Sequence, residues 1–222
     1  VEYNTSTNPT FDGGVRDTSG RGNDGVFVGA SSYDATEKAF DTPNATGIKR
    51  TNINLPGGNI PLSVSTWFRG DSFNTAANDT IVCLGENSTA TGGGSFILRV
   101  NTDQLRINFE QSSNYTEFTK TISNRIWYHV VATYDGGTSA SGRKLFIDGV
   151  EETIAYSTLG TPTEDGIPNG GAHVGVGHGL TTSGSLCNSG GGNKGLDGLI
   201  DEVYIFDREL SDEQIVALYD AG

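Results

Sequence analysis

The stretch GLIDEVYIFDRELSDEQIVALY, Gly198–Tyr219, decides the fold. Its first half, Leu199–Phe206, is rich in β-branched and aromatic residues and reads as a strand. Its second half opens a helix. Ser211 is a good N-cap, and Gln214 three residues on completes a capping box. Leu210 before the cap and Ile215 after it are placed for a hydrophobic staple. Ile215, Leu218 and Tyr219 form one apolar stripe, and Gly222 follows the predicted helix Ser211–Ala221. About three turns cannot stand alone, so this helix must dock on a sheet.

Upstream, β-type runs recur roughly every ten residues with turn residues between them. The clearest are Leu62–Arg69, Thr80–Leu84, Ser95–Val100, Gln104–Glu110 and Tyr115–Thr121, then Trp127–Tyr134, Lys144–Ile147, Val150–Ile154 and His173–Gly177. Gly25–Val28 and Ile48–Leu55 are weaker. Asp148-Gly149 between two of these runs is the strongest hairpin signal, because both central residues need positive φ. No Pro-rich linker or shift of composition divides the chain, so residues 1–222 are read as a single all-β domain. In Leu62–Arg69, Leu62, Val64, Thr66 and Phe68 share one face, and Ser63, Ser65, Trp67 and Arg69 the other. Two partly apolar faces suit a strand covered fully on one side and half covered on the other. A sandwich of two antiparallel sheets supplies that environment; a closed barrel ranks second.

Composition bounds the function. The 222 residues carry 27 acidic and 14 basic side chains, a net charge of −13. That balance argues against nucleic acid and anionic membrane surfaces as partners. No apolar run is long enough to span a membrane. Asn, Ser and Thr number 61, with 32 Gly, a composition for short strands and many turns. The chain begins at Val1 without a signal-peptide pattern, as a processed product or excised piece would. Sequons start at Asn4, Asn44, Asn78, Asn87 and Asn114. With an even cysteine count, these features point to an extracellular or cell- or virion-surface setting and a glycoprotein. Cys83 in a strand and Cys187 in the Gly-rich stretch Thr181–Gly195 are expected to form a disulfide, the alternative being two buried thiols.

The run Gly198–Tyr219 resembles the C-terminal signature of laminin G-like, concanavalin A-like jelly-roll domains. Asp17–Gly25 (DTSGRGNDG) resembles their opening turn, Ser63–Phe68 their central strand, and Trp127–Asp135 with Lys144–Val150 their long hairpin region. The resemblance spans nearly the whole chain. It implies a two-sheet antiparallel jelly-roll sandwich with a short C-terminal helix, but says less about ligand, since the fold serves lectins, glycosidases, receptors and structural proteins.

Candidate sites follow. Asp201, Val203 and Ile205 alternate onto one face; if the two aliphatics enter the core, Asp201 points inward, where a carboxylate needs a cation or several hydrogen bonds. Asp17 and Asn23 sit in a Gly-flanked turn that offers hard oxygen ligands. The resemblance implies a structural calcium between that turn and the last strand, with Asp17, Asn23, Asp201 and the carbonyl of Gly198 as expected ligands. The bland alternative is that these groups satisfy turn amides.

Catalysis is not expected. A retaining glycosidase needs two carboxyls about 5 Å apart, and the alternating Glu/Asp run of the family's glucanase branch is missing. Asp201-Glu202 and Glu151-Glu152 are neighbours that alternation sends to opposite faces. His129 reads as a hydrogen-bonded structural residue, and His173 and His178 lack a third zinc ligand nearby. Gly190–Gly192 precede no capped helix and read as a flexible loop. Sugar rings stack on aromatic faces, for which Tyr33, Phe73, Tyr115 and Tyr156 lie in or near loops; Tyr115 and Tyr156 are the ligand-binding candidates. The sequence thus predicts a non-catalytic, calcium-stabilised module that binds a glycan or surface glycoprotein in adhesion. The competing reading is a self-associating structural subunit of an extracellular filament, sheath or virion surface. In that reading the polar segment Val1–Thr10 reaches a neighbouring subunit, although a frayed terminus is the commoner outcome for such a segment.

Overall fold

The computed structural model describes residues 1–5, 10–43, 46–53, 59–73, 78–85, 95–109, 114–137, 139–158, 172–180 and 193–222. In chain order the strands are β1 (Glu2–Tyr3), β2 (Thr10–Phe11), β3 (Gly14–Val15), β4 (Gly25–Val28), β5 (Ser32–Asp34), β6 (Ala39–Thr42) and β7 (Gly47–Ile53). Then come β8 (Leu62–Gly70), β9 (Asn78–Gly85), β10 (Ser95–Asn101), β11 (Gln104–Phe109), β12 (Asn114–Thr121) and β13 (Tyr128–Tyr134). The last are β14 (Arg143–Ile147), β15 (Val150–Glu151), β16 (Ile154–Thr158), β17 (Ala172–Val176), β18 (Asn193–Gly195) and β19 (Gly198–Phe206), followed by helix α1 (Asp212–Ala221).

Two sheets result. An eight-stranded sheet runs β15-β14-β13-β8-β19-β6-β5 with β1 beside β19. An eleven-stranded sheet runs β16-β12-β11-β10-β9-β17-β7-β4-β3-β2 with β18 beside β9. All pairs are antiparallel except β18 with β9. The inward residues of both sheets form one apolar cluster. Leu62, Val64 and Phe68 of β8, with Val130 and Ala132 of β13, meet Val82, Leu84, Leu98, Ile107 and Phe118 from the other sheet. This is the two-sheet sandwich that the alternation in β8 predicts, with the jelly-roll form that the resemblance implies.

The second face of β8 explains its length of buried chain. Ser63 and Ser65 are buried there too, because α1 lies across them. Leu210 and Ile215 pack with Val131 and Phe146, edged by Phe206 and Leu218. The Ser63 hydroxyl donates to the Arg208 carbonyl (2.9 Å) and accepts the Leu210 N–H (3.0 Å). Tyr219 stacks on Trp67 with ring centroids 5.7 Å apart. The capping box forms as predicted: Ser211 Oγ accepts from Gln214 N, and Gln214 Oε1 accepts from Ser211 N. The hairpin at Asp148-Gly149 also forms, with both residues at positive φ (51° and 78°).

Three readings need correction. The expected strand Val150–Ile154 is two strands in two sheets. Glu152 N–H still bonds the Leu145 carbonyl of one sheet, while the Thr153 carbonyl accepts Thr119 N–H of the other. Residues 152–153 are the crossover, and alternation carries no mark of which sheet a residue joins. Residues 1–5 of the N-terminal segment pack inward, with Tyr3 fully buried in the core and β1 paired with β19; residues 6–9 lie outside the described residues. Finally, β19 holds a β-bulge between Asp201 and Tyr204, with Glu202 at φ 49°. The bulge flips the side-chain parity, since an extra residue shifts all that follow. Asp201 pairs with Trp67, whereas Ile200 pairs with Phe68 on the core side; Val203 joins the core past the bulge. Asp201 therefore does not share the face of Val203 and Ile205.

Since α1 is held by a small cluster, truncating its central residue should be costly. Ile215→Ala is expected to lower stability by about 2–4 kcal/mol through lost burial and a residual cavity. Urea unfolding checks this, and a loss near zero would mean that the helix does not brace the sheet.

Candidate functional site

The opening turn is built around Asp17. Its Oδ1 accepts Glu2 N–H (2.9 Å), Ser19 N–H (3.1 Å) and the Ser19 hydroxyl (2.6 Å), and its Oδ2 accepts Asn23 N–H (3.0 Å). The pull of burial raises its pKa, but these donors outweigh it and leave the carboxyl below the ordinary range. Asn23 gives its carbonyl to the Tyr3 hydroxyl (2.9 Å). Asp17 thus ties the turn to the start of β1.

Asp201 serves the other end of the same segment. Its Oδ1 accepts the Thr5 hydroxyl and Glu202 N–H, while burial pushes its pKa up. Glu202 is raised by burial, then by Asp201 and Glu2. The Gly198 carbonyl accepts the Thr42 hydroxyl (3.1 Å). Asp17, Asn23, Asp201 and Gly198 are each engaged in hydrogen bonds within the protein. Among the described residues, no group of three or more His, Cys, Asp or Glu side chains comes together to hold a metal ion.

The histidines are structural where they are described. His129 Nε2 lies 2.9 Å from Ser65 Oγ, and its ring sits between Trp67 (5.2 Å) and Tyr219 (5.9 Å). His173 Nδ1 accepts Asn52 N–H (3.3 Å), and His178 Nδ1 is 2.8 Å from the Gly179 carbonyl. Cys83 is buried in β9; Cys187, and with it the disulfide, lies outside the described residues, as do Gly190–Gly192, Asn44 and Asn87. Of the other sequons, the Asn4 amide donates to the Tyr204 hydroxyl (2.9 Å), and Asn78 Oδ1 accepts from Asn101 (2.6 Å).

The aromatic candidates divide sharply. Tyr33 stands edge-on to Phe40 and packs, like Phe73, against the core. Tyr115 and Tyr156 are on strands rather than loops, and the structure brings them together on the outer face of the eleven-stranded sheet. Thr116 and Phe118 of β12 are fully buried inward, so Tyr115 and Glu117 point outward. The register sets Arg106 opposite Glu117 and Glu117 opposite Tyr156. The Tyr115 and Tyr156 rings lie 5.8 Å apart. Arg106 covers one face of Tyr115 at 4.3 Å and bonds Glu117 through its Nε. Tyr156 is 52% exposed and supplies the open ring surface. Asn108, opposite Tyr115, adjoins this platform.

Arg106, Glu117 and Asn108 escaped sequence reading. Period-2 alternation does put Arg106 with Asn108, and Tyr115 with Glu117. What joins the two pairs is the register between β11 and β12, which alternation leaves open.

Two antiparallel sheets and a docked C-terminal helix define a jelly roll. The chain belongs to the concanavalin A-like lectin/glucanase superfamily, whose laminin G-like family model matches residues 34–216. No curated protein matches the chain. Among solved structures, domain 4 of AbnA, an extracellular GH43 arabinanase from Geobacillus stearothermophilus in complex with arabinotriose, aligns at TM-score 0.65 and 20% identity. That alignment covers 98% of this chain and 96% of that one. A botulinum neurotoxin type C structure, described for cell entry dependent on two ganglioside molecules, aligns at TM-score 0.68 and 14% identity, covering 100% of this chain and 50% of that one. The binding domain of botulinum neurotoxin DC with rat synaptotagmin II aligns at 0.67 and 14%, covering 100% and 51%. The chain spans about half the length of the neurotoxin chains it matches. At these identities the likeness is one of fold.

His129 offers a test of the packing beneath α1. Burial lowers its pKa to about 4, against about 6.5 in an unfolded chain. Between these values the unfolded state binds a proton that the folded state refuses, so stability falls as pH drops through that window. The full effect is about 3 kcal/mol. Comparing unfolding of the parent and His129→Gln from pH 7 to pH 4 should show a steeper loss in the parent. Parallel curves would mean that His129 is charged in the fold.

Proposed function

We propose that this chain is a non-catalytic, extracellular glycan-binding module whose site is the outer face of the eleven-stranded sheet around Tyr156, Tyr115 and Arg106. The observation that carries the reading is the half-exposed Tyr156 ring beside Tyr115 and the Arg106–Glu117 pair. Sugar sites combine a flat aromatic surface with a few oriented polar groups. The comparisons support it: one neighbour of similar length is a domain solved with arabinotriose, and others are neurotoxin binding domains, one tied to gangliosides. The non-catalytic part rests on the carboxylate at the platform: Glu117 is bonded to Arg106, an arrangement for holding Arg106 rather than for acid–base work across a bond. The extracellular part rests on the sequons and the composition. Among the described residues, no helix is long and apolar enough to cross a membrane.

Calcium enters this proposal at Asp201 alone, where a half-buried carboxylate and the Thr5 hydroxyl offer hard oxygens. An ion bound there would stabilise the fold by linkage. Calcium at millimolar concentration should then raise the melting temperature of the parent, and Asp201→Asn should abolish that rise. A parent whose melt is the same in calcium and in chelator would end the calcium reading.

Binding is checked by titration calorimetry against arabinotriose and a panel of oligosaccharides. Tyr156→Ala should weaken the best hit by about tenfold, the worth of one aromatic contact, without changing the melting temperature. A variant that binds as well as the parent would place the site elsewhere.

A further inference from the structure

We propose that the glycan crosses the edge strand β16: one sugar unit lies on Tyr156 and the next fills a cleft at the crossover between the two sheets, so the ligand is an oligosaccharide. This rests on the glycan-binding reading and adds a second subsite to it.

The cleft has a volume of about 430 Å³ and is lined by Ser141, Lys144, Glu151, Glu152, Thr153 and Ile154, with Arg143 buried behind them. Sites for small ligands are of this size. Its position follows from the chain path. β15 ends at Glu151 in one sheet and β16 begins at Ile154 in the other, so residues 152–153 bridge the gap between them. Among the described residues, the ion pairs are Arg21–Asp207, Arg69–Glu37, Arg69–Asp71 and Arg106–Glu117. The heads of Lys144, Glu151 and Glu152 belong to none of them. The cleft thus offers an ammonium donor, carboxylate acceptors and the Thr153 hydroxyl beside the aliphatic Ile154. A sugar uses all of these, because its hydroxyls both donate and accept while its ring face is apolar.

β16 joins this cleft to the platform. Ile154 pairs with Phe118 and packs against the core, whereas Tyr156 pairs with Glu117 on the outer face. Parity changes between them because Ala155 is the extra residue of a β-bulge. Along the strand, Ile154 and Tyr156 are about 7 Å apart, within the reach of two linked sugar rings. Ala155 between them is small and exposed, a low rim for a chain to pass over. β16 is the last strand of its sheet, so no further strand of the sheet stands beyond that rim.

The test uses the full chain with arabinose, xylose and glucose and with their di- and trisaccharides, by calorimetry and, for the weak single sugars, ligand-observed NMR. The parent should bind the best trisaccharide at least about tenfold tighter than its single sugar, as an added hydrogen bond to a charged group allows. Lys144→Ala and Glu152→Ala should each weaken the trisaccharide by about fivefold to tenfold and leave the single sugar unchanged. Ala155→Ile raises the rim and should bring the trisaccharide down to the level of the single sugar. All three positions lie at the edge of the fold, and equal melting temperatures establish that the variants are folded. If Tyr156→Ala loses binding while Lys144→Ala, Glu152→Ala and Ala155→Ile bind every length as the parent does, this inference is overturned and the glycan-binding reading stands. An affinity that does not rise with length has the same consequence. Failure of every probe would overturn both.

Discussion

Leu210 and Ile215 pressing on Val131 and Phe146 is the contact that the rest of the structure depends on. A sandwich of two sheets has four faces, of which only two bury each other. The outer face of the eight-stranded sheet carries Ser63, Ser65, Trp67, His129 and Val131, a row too apolar to leave wet. The helix covers it, its first turn fastened by the capping box and by Ser63, and its last by Tyr219 on Trp67. With that face sealed by the helix, Tyr156 stands exposed on the outer face of the eleven-stranded sheet, whose central outward residues Cys83, Ile97 and Asn108 are buried.

The last strand balances two demands. It pairs with β8 along most of its length, yet it must also receive β6 at Gly198–Ile200 and β1 at Val203–Tyr204. The bulge at Glu202 lies where one neighbour hands over to the other. It costs a non-glycine residue at positive φ and brings two acidic side chains close, each with its carboxyl raised by burial. In return Val203 re-enters the core on the same side as Ile200. Asp17 and Asp201 then pin the N-terminal segment at its two ends, through Glu2 and Thr5, so Tyr3 can fill the core.

Much of this was legible in the residues. Asp148-Gly149 predicts its hairpin because few other dipeptides accept positive φ twice. Ser211 and Gln214 predict the helix start because a cap is a local contract between residues three apart. The inward row of Leu62, Val64 and Phe68 follows from the pleat. The candidate platform is half legible: Tyr115 and Tyr156 read as aromatics available for stacking, but not as neighbours of each other, and nothing along the chain ties Arg106 and Glu117 to them.

Sequence alone therefore determined what depends on spacing along the chain: the strand and helix types, the cap, the hairpin and the family. Only the tertiary structure decided what depends on pairing across it. The bulge that moves Asp201 off the core parity, the crossover at residues 152–153, and the register that stacks Arg106 on Tyr115 all arise between strands. A period of two is blind to them, because it fixes which side a residue takes and not which residue it meets.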